Sequence, residues 1–312
     1  QSHFRYLMGT KKILVTGSNG LLGQKLVHLI LDHSNHILLA TSKGENRLKS
    51  RSDFDYRSLD ITDKNRVDSI VSEFEPDVLI NSAAMTNVDA CESFHEDCIA
   101  LNVDGVKNLV AACENHNTHL IHVSTDFVFD GKAGPYSEND QPKPLSFYGQ
   151  SKYDSELIVS NSSLSKWSIA RTIIIYGIVE NMSKSNVVLW AKSALESGSE
   201  LKIVDDQFRS PTYADDLAKG CLLIAEKEKN GIYHLSGKES MSILELVYRV
   251  ADFYGLDKST ISPVKSESLN QAAKRPPVTG FVLDKANKEL GYYPLSLNDG
   301  LKLLTKEIEE LT

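Results

Sequence analysis

The stretch Thr16-Gly17-Ser18-Asn19-Gly20-Leu21-Leu22-Gly23 carries the strongest structural signal in this sequence. An apolar run at 11–16 leads into it, and apolar residues at helical spacing follow it up to Ile30. This order predicts a strand, a glycine turn and a helix. Glycines in such a turn allow a tight bend, close approach of a pyrophosphate and close packing of the helix, so the stretch predicts a dinucleotide site.

Strand and helix patterns alternate through the rest of the first half. Apolar strand patterns lie at 37–41, 77–81, 119–124 and 168–175, and helical patterns lie at 66–74, 97–115 and 148–159. This alternation predicts an α/β fold, a Rossmann-type doubly wound parallel sheet. Residues 8–176 are expected to form this dinucleotide-binding domain. Residues 177–312, where the rhythm loosens, are expected to form a smaller substrate-binding lobe interleaved with it, and residues 1–7 are expected to be an artificial extension before a native start at Met8.

Composition excludes several classes of protein. The 312 residues carry a net charge of −8, and no cluster of Lys or Arg suggests a nucleic-acid partner. The four cysteines are far apart with no C-x-x-C pair, which favours a reduced, cytoplasmic protein. No apolar run approaches the roughly 20 residues of a membrane helix. His116, His119 and His122 recur every three residues, but a helix is predicted to end and a strand to begin between them, so no metal site is expected.

The residues after the second strand bear on the choice of coenzyme. NAD-binding Rossmann folds usually place a carboxylate there, whereas this chain has Ser42 and Lys43, with Arg47 nearby. A hydroxyl and cations suit a 2′-phosphate, which favours NADP(H) over NAD(H). Solvent-exposed loop charges are the alternative. Asp60, at the end of an apparent third strand, is placed to contact adenine, with a role near a helix N-cap as the alternative.

A second constellation bears on the reaction. Tyr148 and Lys152 are four residues apart at the start of a predicted helix, and Thr125 ends a predicted strand. The spacing puts the phenol and the ammonium on one helix face, where the cation is expected to lower the pKa of the tyrosine. The hydroxyl of Thr125 would hydrogen-bond a substrate carbonyl, and Tyr148 would exchange a proton with it. A surface pair on an ordinary helix is the alternative.

These motifs together resemble the extended short-chain dehydrogenase/reductases, and within them the dTDP-4-dehydrorhamnose reductase family. The resemblance spans nearly the whole chain in the family's order, from the glycine turn through Asn81-Ser82-Ala83-Ala84, Asn102-Val103, 124–131 and 148–152 to Arg275-Pro276. It implies reduction of a 4-keto-6-deoxy sugar on a nucleotide, with Thr125, Tyr148 and Lys152 as catalytic residues. It implies a cofactor pocket that also includes Ile61, Asn81, Ala83, Ala84, Thr86 and Asn102.

The resemblance further implies substrate contacts from Val88, Asp126, Phe127, Arg209 and Arg275, and a homodimer for which the sequence offers no interface. Arg275 beside two prolines also suits a phosphate clamp, with an ordinary surface arginine as the alternative.

Phe127 departs from the family, which commonly has Tyr there, and this puts one substrate hydrogen bond in doubt. Related dehydratases have Glu there, and its carboxylate serves the elimination of water. Because Phe127 has no acid, dehydratase chemistry is disfavoured. A nucleotide-sugar epimerase and a non-catalytic, cofactor-binding regulatory subunit stay open as alternatives.

Overall fold

The computed structural model describes residues 9–312. The predicted extension at residues 1–7 and the predicted native start at Met8 lie outside these residues. The strands of the described part are β1 (Lys12–Thr16), β2 (Ile37–Ser42), β3 (Asp55–Ser58), β4 (Val78–Asn81), β5 (His119–Thr125), β6 (Trp167–Thr172), β7 (Ile175–Tyr176), β8 (Leu201–Val204), β9 (Phe208–Arg209), β10 (Thr212–Tyr213), β11 (Gly231–His234), β12 (Met241–Ser242), β13 (Ile261–Val264) and β14 (Val278–Thr279). The α-helices are α1 (Leu21–His33), α2 (Lys64–Phe74), α3 (Val88–Ser93), α4 (His95–Ile99), α5 (Gly105–His116), α6 (Phe147–Ser160), α7 (Val187–Glu196), α8 (Ala214–Glu226), α9 (Ile243–Tyr254), α10 (Asp284–Leu290) and α11 (Leu297–Leu311).

Within residues 9–312, seven strands form one parallel sheet in the order β11-β6-β5-β4-β1-β2-β3. Its central strands β1, β4 and β5 are largely buried on both faces, and apolar residues occupy most positions of β1 and β4. Helices α1, α8 and α10 cover one face, and α2, α5 and α6 cover the other. The predicted doubly wound α/β sheet is confirmed.

The C-terminal half contributes to both parts of the molecule. Strand β11 adds to the central sheet beside β6, and α8 packs on α1. A separate apolar core joins α7, α9 and α11 with β8, and short two- and three-stranded sheets surround it. No helix among the described residues is long and apolar enough to span a membrane.

Three local predictions need correction. The apparent strand around Asp60 ends earlier, at Ser58, because the Asp60 carboxylate accepts hydrogen bonds from Thr62 and shapes a turn. The predicted strand at 168–175 stops at Thr172, and the chain then pairs with β10 instead. The predicted helix at 97–115 contains a π-helical turn at Ala100–Asp104, which carries Asn102.

Candidate active site

A cavity of about 980 Å³ lies at the C-terminal edge of the central sheet, between the sheet and the C-terminal lobe. Ligands of open α/β sheets bind at this edge because the loops that follow the strands meet there. The glycine turn lines one part of the cavity, and Thr125, Tyr148 and Lys152 line another. Residues from 179–186, together with Gln207, Arg209 and Arg275, complete the wall from the C-terminal half.

The glycine turn is a tight bend at the start of α1. Gly17 has φ +66°, and a Cβ on Gly23 would lie 2.5 Å from the Cα of Ser18 and closer still to the carbonyl oxygen of Gly17. Helix α1 therefore packs directly on the turn. Its N-cap is Gly20, which supplies no side-chain cap, and its first turn has no acidic residue. The first amides of α1 are thus left for an anionic ligand.

Most residues predicted to bind the cofactor do line the cavity. They are Gly17, Asn19, Gly20, Leu21, Leu22, Gly23, Ser42, Lys43, Asp60, Ile61, Ala83, Ala84 and Thr86, together with Tyr148 and Lys152. The structure places Ser18, Asn81 and Asn102 behind the cavity wall instead. Asn102 accepts a hydrogen bond from the backbone N–H of Met85 at 2.7 Å and donates to its carbonyl at 3.0 Å, which holds the loop that carries Ala83 and Thr86.

Two predicted cofactor residues, Lys43 and Asp60, form an ion pair. The Lys43 Nζ lies 2.9 Å from the Asp60 carboxylate, and this pairing raises the pKa of the lysine. The sequence analysis predicted a separate cofactor contact for each of them. The sequence does not show that β3 pairs with β2, which brings the two side chains together. Arg47 also lines the cavity, and its backbone N–H donates to the Asn19 side chain at 2.8 Å.

Tyr148 and Lys152 lie on the first turns of α6, which begins where the Ser146 hydroxyl accepts a hydrogen bond from the N–H of Gly149. The Lys152 ammonium donates to the carbonyl of Val123 at 2.8 Å, and burial lowers the pKa of this lysine to about 8. Burial raises the pKa of Tyr148, and the Thr125 hydroxyl opposes this shift. This shift is opposite to the predicted lowering, because burial of the phenol is the largest influence on its pKa.

Asp126, Phe127 and Arg209 form one wall of the cavity. The Asp126 carboxylate lies 3.7 Å from the Arg209 Nε and accepts a hydrogen bond from Thr279. Burial raises the pKa of Asp126, and Arg209 opposes this shift. The Arg209 guanidinium lies over the Phe127 ring at 5.4 Å, and its Nη2 is buried with no hydrogen-bond partner in the described part of the chain. This wall therefore offers a rigid, buried cationic donor.

Arg275 and Val88 also line the cavity. The Asp89 carboxylate binds the Arg275 guanidinium through both oxygens, at 3.1 and 2.7 Å, and accepts a further hydrogen bond from the N–H of Ala273. Arg275 is thus held in a fixed position between α3 and the loop before β14.

Ser124, Thr172 and Lys184 line the cavity but were not among the predicted site residues, although Ser124 lies within the motif at 124–131. The hydroxyls of Ser124 and Thr172 lie in the cavity wall, and neither finds a partner among residues 9–312. Lys184 reaches across the cavity and donates to the Thr86 hydroxyl at 3.2 Å. Serines, threonines and a loop lysine carry no distinctive spacing. The positions of Ser124 and Thr172 at strand ends could have indicated them, whereas nothing in the sequence indicated Lys184.

Comparison with known proteins agrees with this arrangement. The family model described as RmlD substrate binding domain matches residues 11–310. The chain belongs to this family.

Curated relatives of this RmlD-type chain include proteins with different names. The chain is 33% identical over 303 residues to dTDP-4-dehydrorhamnose reductase of Aggregatibacter actinomycetemcomitans, covering 93% of this chain and 97% of that protein. It is also 33% identical over 271 residues to methionine adenosyltransferase 2 subunit beta of Xenopus tropicalis, covering 85% of this chain and 78% of that protein. The resemblance to dTDP-4-dehydrorhamnose reductases is confirmed.

A solved structure of dTDP-4-dehydrorhamnose reductase from Bacillus anthracis in complex with NADP matches this RmlD-type fold. It superposes with a TM-score of 0.80 at 28% identity, covering 96% of this chain and all of that chain.

Proposed function

We propose that this protein is an NADPH-dependent reductase of a nucleotide-linked 4-keto-6-deoxy sugar, acting as a dTDP-4-dehydrorhamnose reductase in dTDP-rhamnose biosynthesis. The observation that carries the proposal is the convergence of Thr125, Tyr148 and Lys152 in the same cavity as the glycine turn. The similarity to a curated reductase over nearly the whole length of both proteins supports it.

The residues present fit NADPH. The uncapped start of α1 and the close packing at Gly23 suit its pyrophosphate, and Arg47 and Lys43 suit its 2′-phosphate. The NADP complex of the Bacillus anthracis relative supports NADP(H) over NAD(H). When bound, the coenzyme supplies the hydride that reduces the sugar carbonyl.

The protein's own groups handle the carbonyl oxygen. Tyr148 remains protonated because burial raises its pKa, so it can donate its proton to the oxygen as the carbonyl carbon is reduced. The Thr125 hydroxyl, which also lines the cavity, would donate a hydrogen bond to the same carbonyl oxygen. Lys152 carries the nearby positive charge, which favours the phenolate that remains.

The substrate half of the cavity suits an anionic nucleotide sugar. Arg209 has an unused donor, and Arg275 is fixed by Asp89, so two guanidinium groups are available to a diphosphate. Asp126 is already bound by Thr279 and paired with Arg209, and Phe127 has no acid. No carboxyl group at these two positions is thus placed for eliminating water, which supports a reductase over a dehydratase.

The test follows NADPH absorbance with the purified protein and dTDP-4-keto-6-deoxy-mannose generated in place by the preceding epimerase. Wild type should consume NADPH, and Tyr148→Phe should lose at least about 100-fold in kcat, because general-acid catalysis is typically that large. The variant should still bind NADPH. Equal turnover by both proteins would refute the role of Tyr148, and no turnover by wild type would refute the proposed reaction.

A second candidate is a non-catalytic subunit that uses the cofactor fold to bind a partner protein. Its support is the 33% identity to methionine adenosyltransferase 2 subunit beta. This candidate predicts NADPH binding without consumption by any keto sugar. It also predicts that Tyr148→Phe leaves partner binding unchanged.

We propose further that the enzyme is a cytoplasmic homodimer. Within the described residues all four cysteines are free thiols and buried, as suits a reducing compartment. Sedimentation of the purified protein tests the dimer.

A further inference from the structure

A row of buried polar side chains crosses the central sheet behind the cavity. Thr16, Asn81 and His122 are direct neighbours in register on β1, β4 and β5. Their exposed fractions are 1%, 1% and 0%, and none of them lines the cavity. A polar row inside an apolar sheet is costly unless every group is paired, so its hydrogen bonds define what it does.

The directions of these hydrogen bonds follow from one backbone donor. The N–H of Ala83 can only donate, and it points at the Asn81 Oδ1 at 3.2 Å, which also accepts from the Thr16 hydroxyl at 2.7 Å. The Asn81 Nδ2 must therefore be the atom that faces the His122 Nδ1 at 3.1 Å, and Nδ1 must accept. The proton of the imidazole is then on Nε2, which donates to the Ser155 hydroxyl at 2.8 Å.

The row joins the two sides of the active site. Ser155 lies on α6 and donates to the carbonyl of Lys152 at 2.6 Å, one turn from the reacting side chains. At the other end, Asn81 holds the backbone of Ala83, in the loop that lines the cofactor part of the cavity. Burial lowers the pKa of His122 well below its usual value, so the ring stays neutral and keeps both bonds.

We propose that His122 is a positioning residue that fixes the cofactor loop at Ala83 relative to the helix that carries Tyr148 and Lys152. It touches neither cavity nor substrate, and it acts through Asn81 on one side and Ser155 on the other. The kinetic part of this inference rests on the proposed reductase function.

Two variants each keep one of the two hydrogen bonds of His122, either the one with Asn81 or the one with Ser155. His122→Asn can retain an acceptor toward Asn81 but is too short to reach Ser155. We expect it to keep the Kd for NADPH and to lose about tenfold in kcat, the equivalent of one hydrogen bond. His122→Gln can reach Ser155 but leaves the Asn81 Nδ2 without its acceptor, so we expect about tenfold weaker NADPH binding.

His119 supplies a matched control on the same strand. It is also buried, and its Nε2 lies 2.8 Å from the Ser168 hydroxyl, but it lies at the opposite end of β5 and does not line the cavity. His119→Asn and His119→Gln should lower the melting temperature as the His122 variants do, without changing kcat or the NADPH Kd. If a His122 variant fails to fold, Ser155→Ala tests the link from His122 to α6, because it removes only the hydroxyl that joins them. This variant should lower kcat without changing the Kd for NADPH.

Two measurements do not depend on turnover. Nitrogen-15 NMR of the wild type should show the His122 ring as the neutral tautomer with its proton on Nε2, and fluorescence of bound NADPH gives its Kd in every variant. A proton on Nδ1, or kinetic and binding constants in the His122 variants that match the His119 variants, would overturn the inference. Absence of turnover in wild type would instead count against the proposed function, while the NADPH affinities would still decide the loop side of this inference.

Discussion

Replacement of Gly23 by alanine tests the packing of α1 on the glycine turn. The added Cβ would lie 2.5 Å from the Cα of Ser18, whereas ordinary contact begins at 3.4 Å. The three nearest atoms are all backbone, the Cα of Ser18 and the carbonyl carbon and oxygen of Gly17, so no side chain can move aside. The helix must shift by about 1 Å, and overpacking of this kind typically costs about 1–3 kcal/mol.

The shift should weaken NADPH binding more than it weakens folding. Moving the first amides of α1 by about 1 Å would break two hydrogen bonds to a charged phosphate, each contributing about 1.5–3 kcal/mol, so Kd should rise by at least about 100-fold. Fluorescence titration with NADPH measures this loss. Thermal unfolding should show a decrease of roughly 2–4 °C per kcal/mol.

Gly20→Ala is the matched control in the same turn. Its Cβ would stay 3.4 Å from the Gly17 carbonyl oxygen, and its φ of −78° suits alanine. The control should therefore keep the wild-type melting temperature. A Gly23→Ala protein with wild-type Kd and melting temperature would refute the packing argument, and an equal loss of melting temperature in both variants would refute the backbone contact at Gly23 as its cause.

Three further predictions concern charges. Because burial lowers the pKa of Lys152 to about 8, its ammonium is lost as the pH rises through that value, and the rate of NADPH consumption should fall there; a flat rate profile would contradict this. Arg209→Lys keeps the ion pair with Asp126 but lacks the unused Nη2 donor, so KM for the nucleotide sugar should rise about tenfold with an unchanged NADPH Kd. Glu156→Gln leaves the buried Arg171 without its carboxylate and should cost about 3–5 kcal/mol in urea unfolding, whereas Glu156→Leu combined with Arg171→Met should recover most of this loss.

The sequence was informative where structure depends on near neighbours. A strand, a glycine turn and a helix follow each other within residues 11–30, so their apolar spacing predicted the dinucleotide site. The four-residue spacing of Tyr148 and Lys152 likewise predicted a shared helix face. Such features depend on backbone periodicity, which a single segment contains completely.

Partners from distant segments required the tertiary structure. Asn81 faces His122 only because β4 pairs with β5 in that register, and Lys43 meets Asp60 only because β3 lies beside β2. The buried, unpaired donor of Arg209 and the raised pKa of Tyr148 also depend on burial by residues that are distant in the sequence. The sequence alone thus determined the helices and strands, through their local periodicity, and it supplied the chemical groups that are available to the site. Strand order, register and burial, which arise from contacts between residues far apart in the chain, decided which of these residues face a ligand and which hold the others in position.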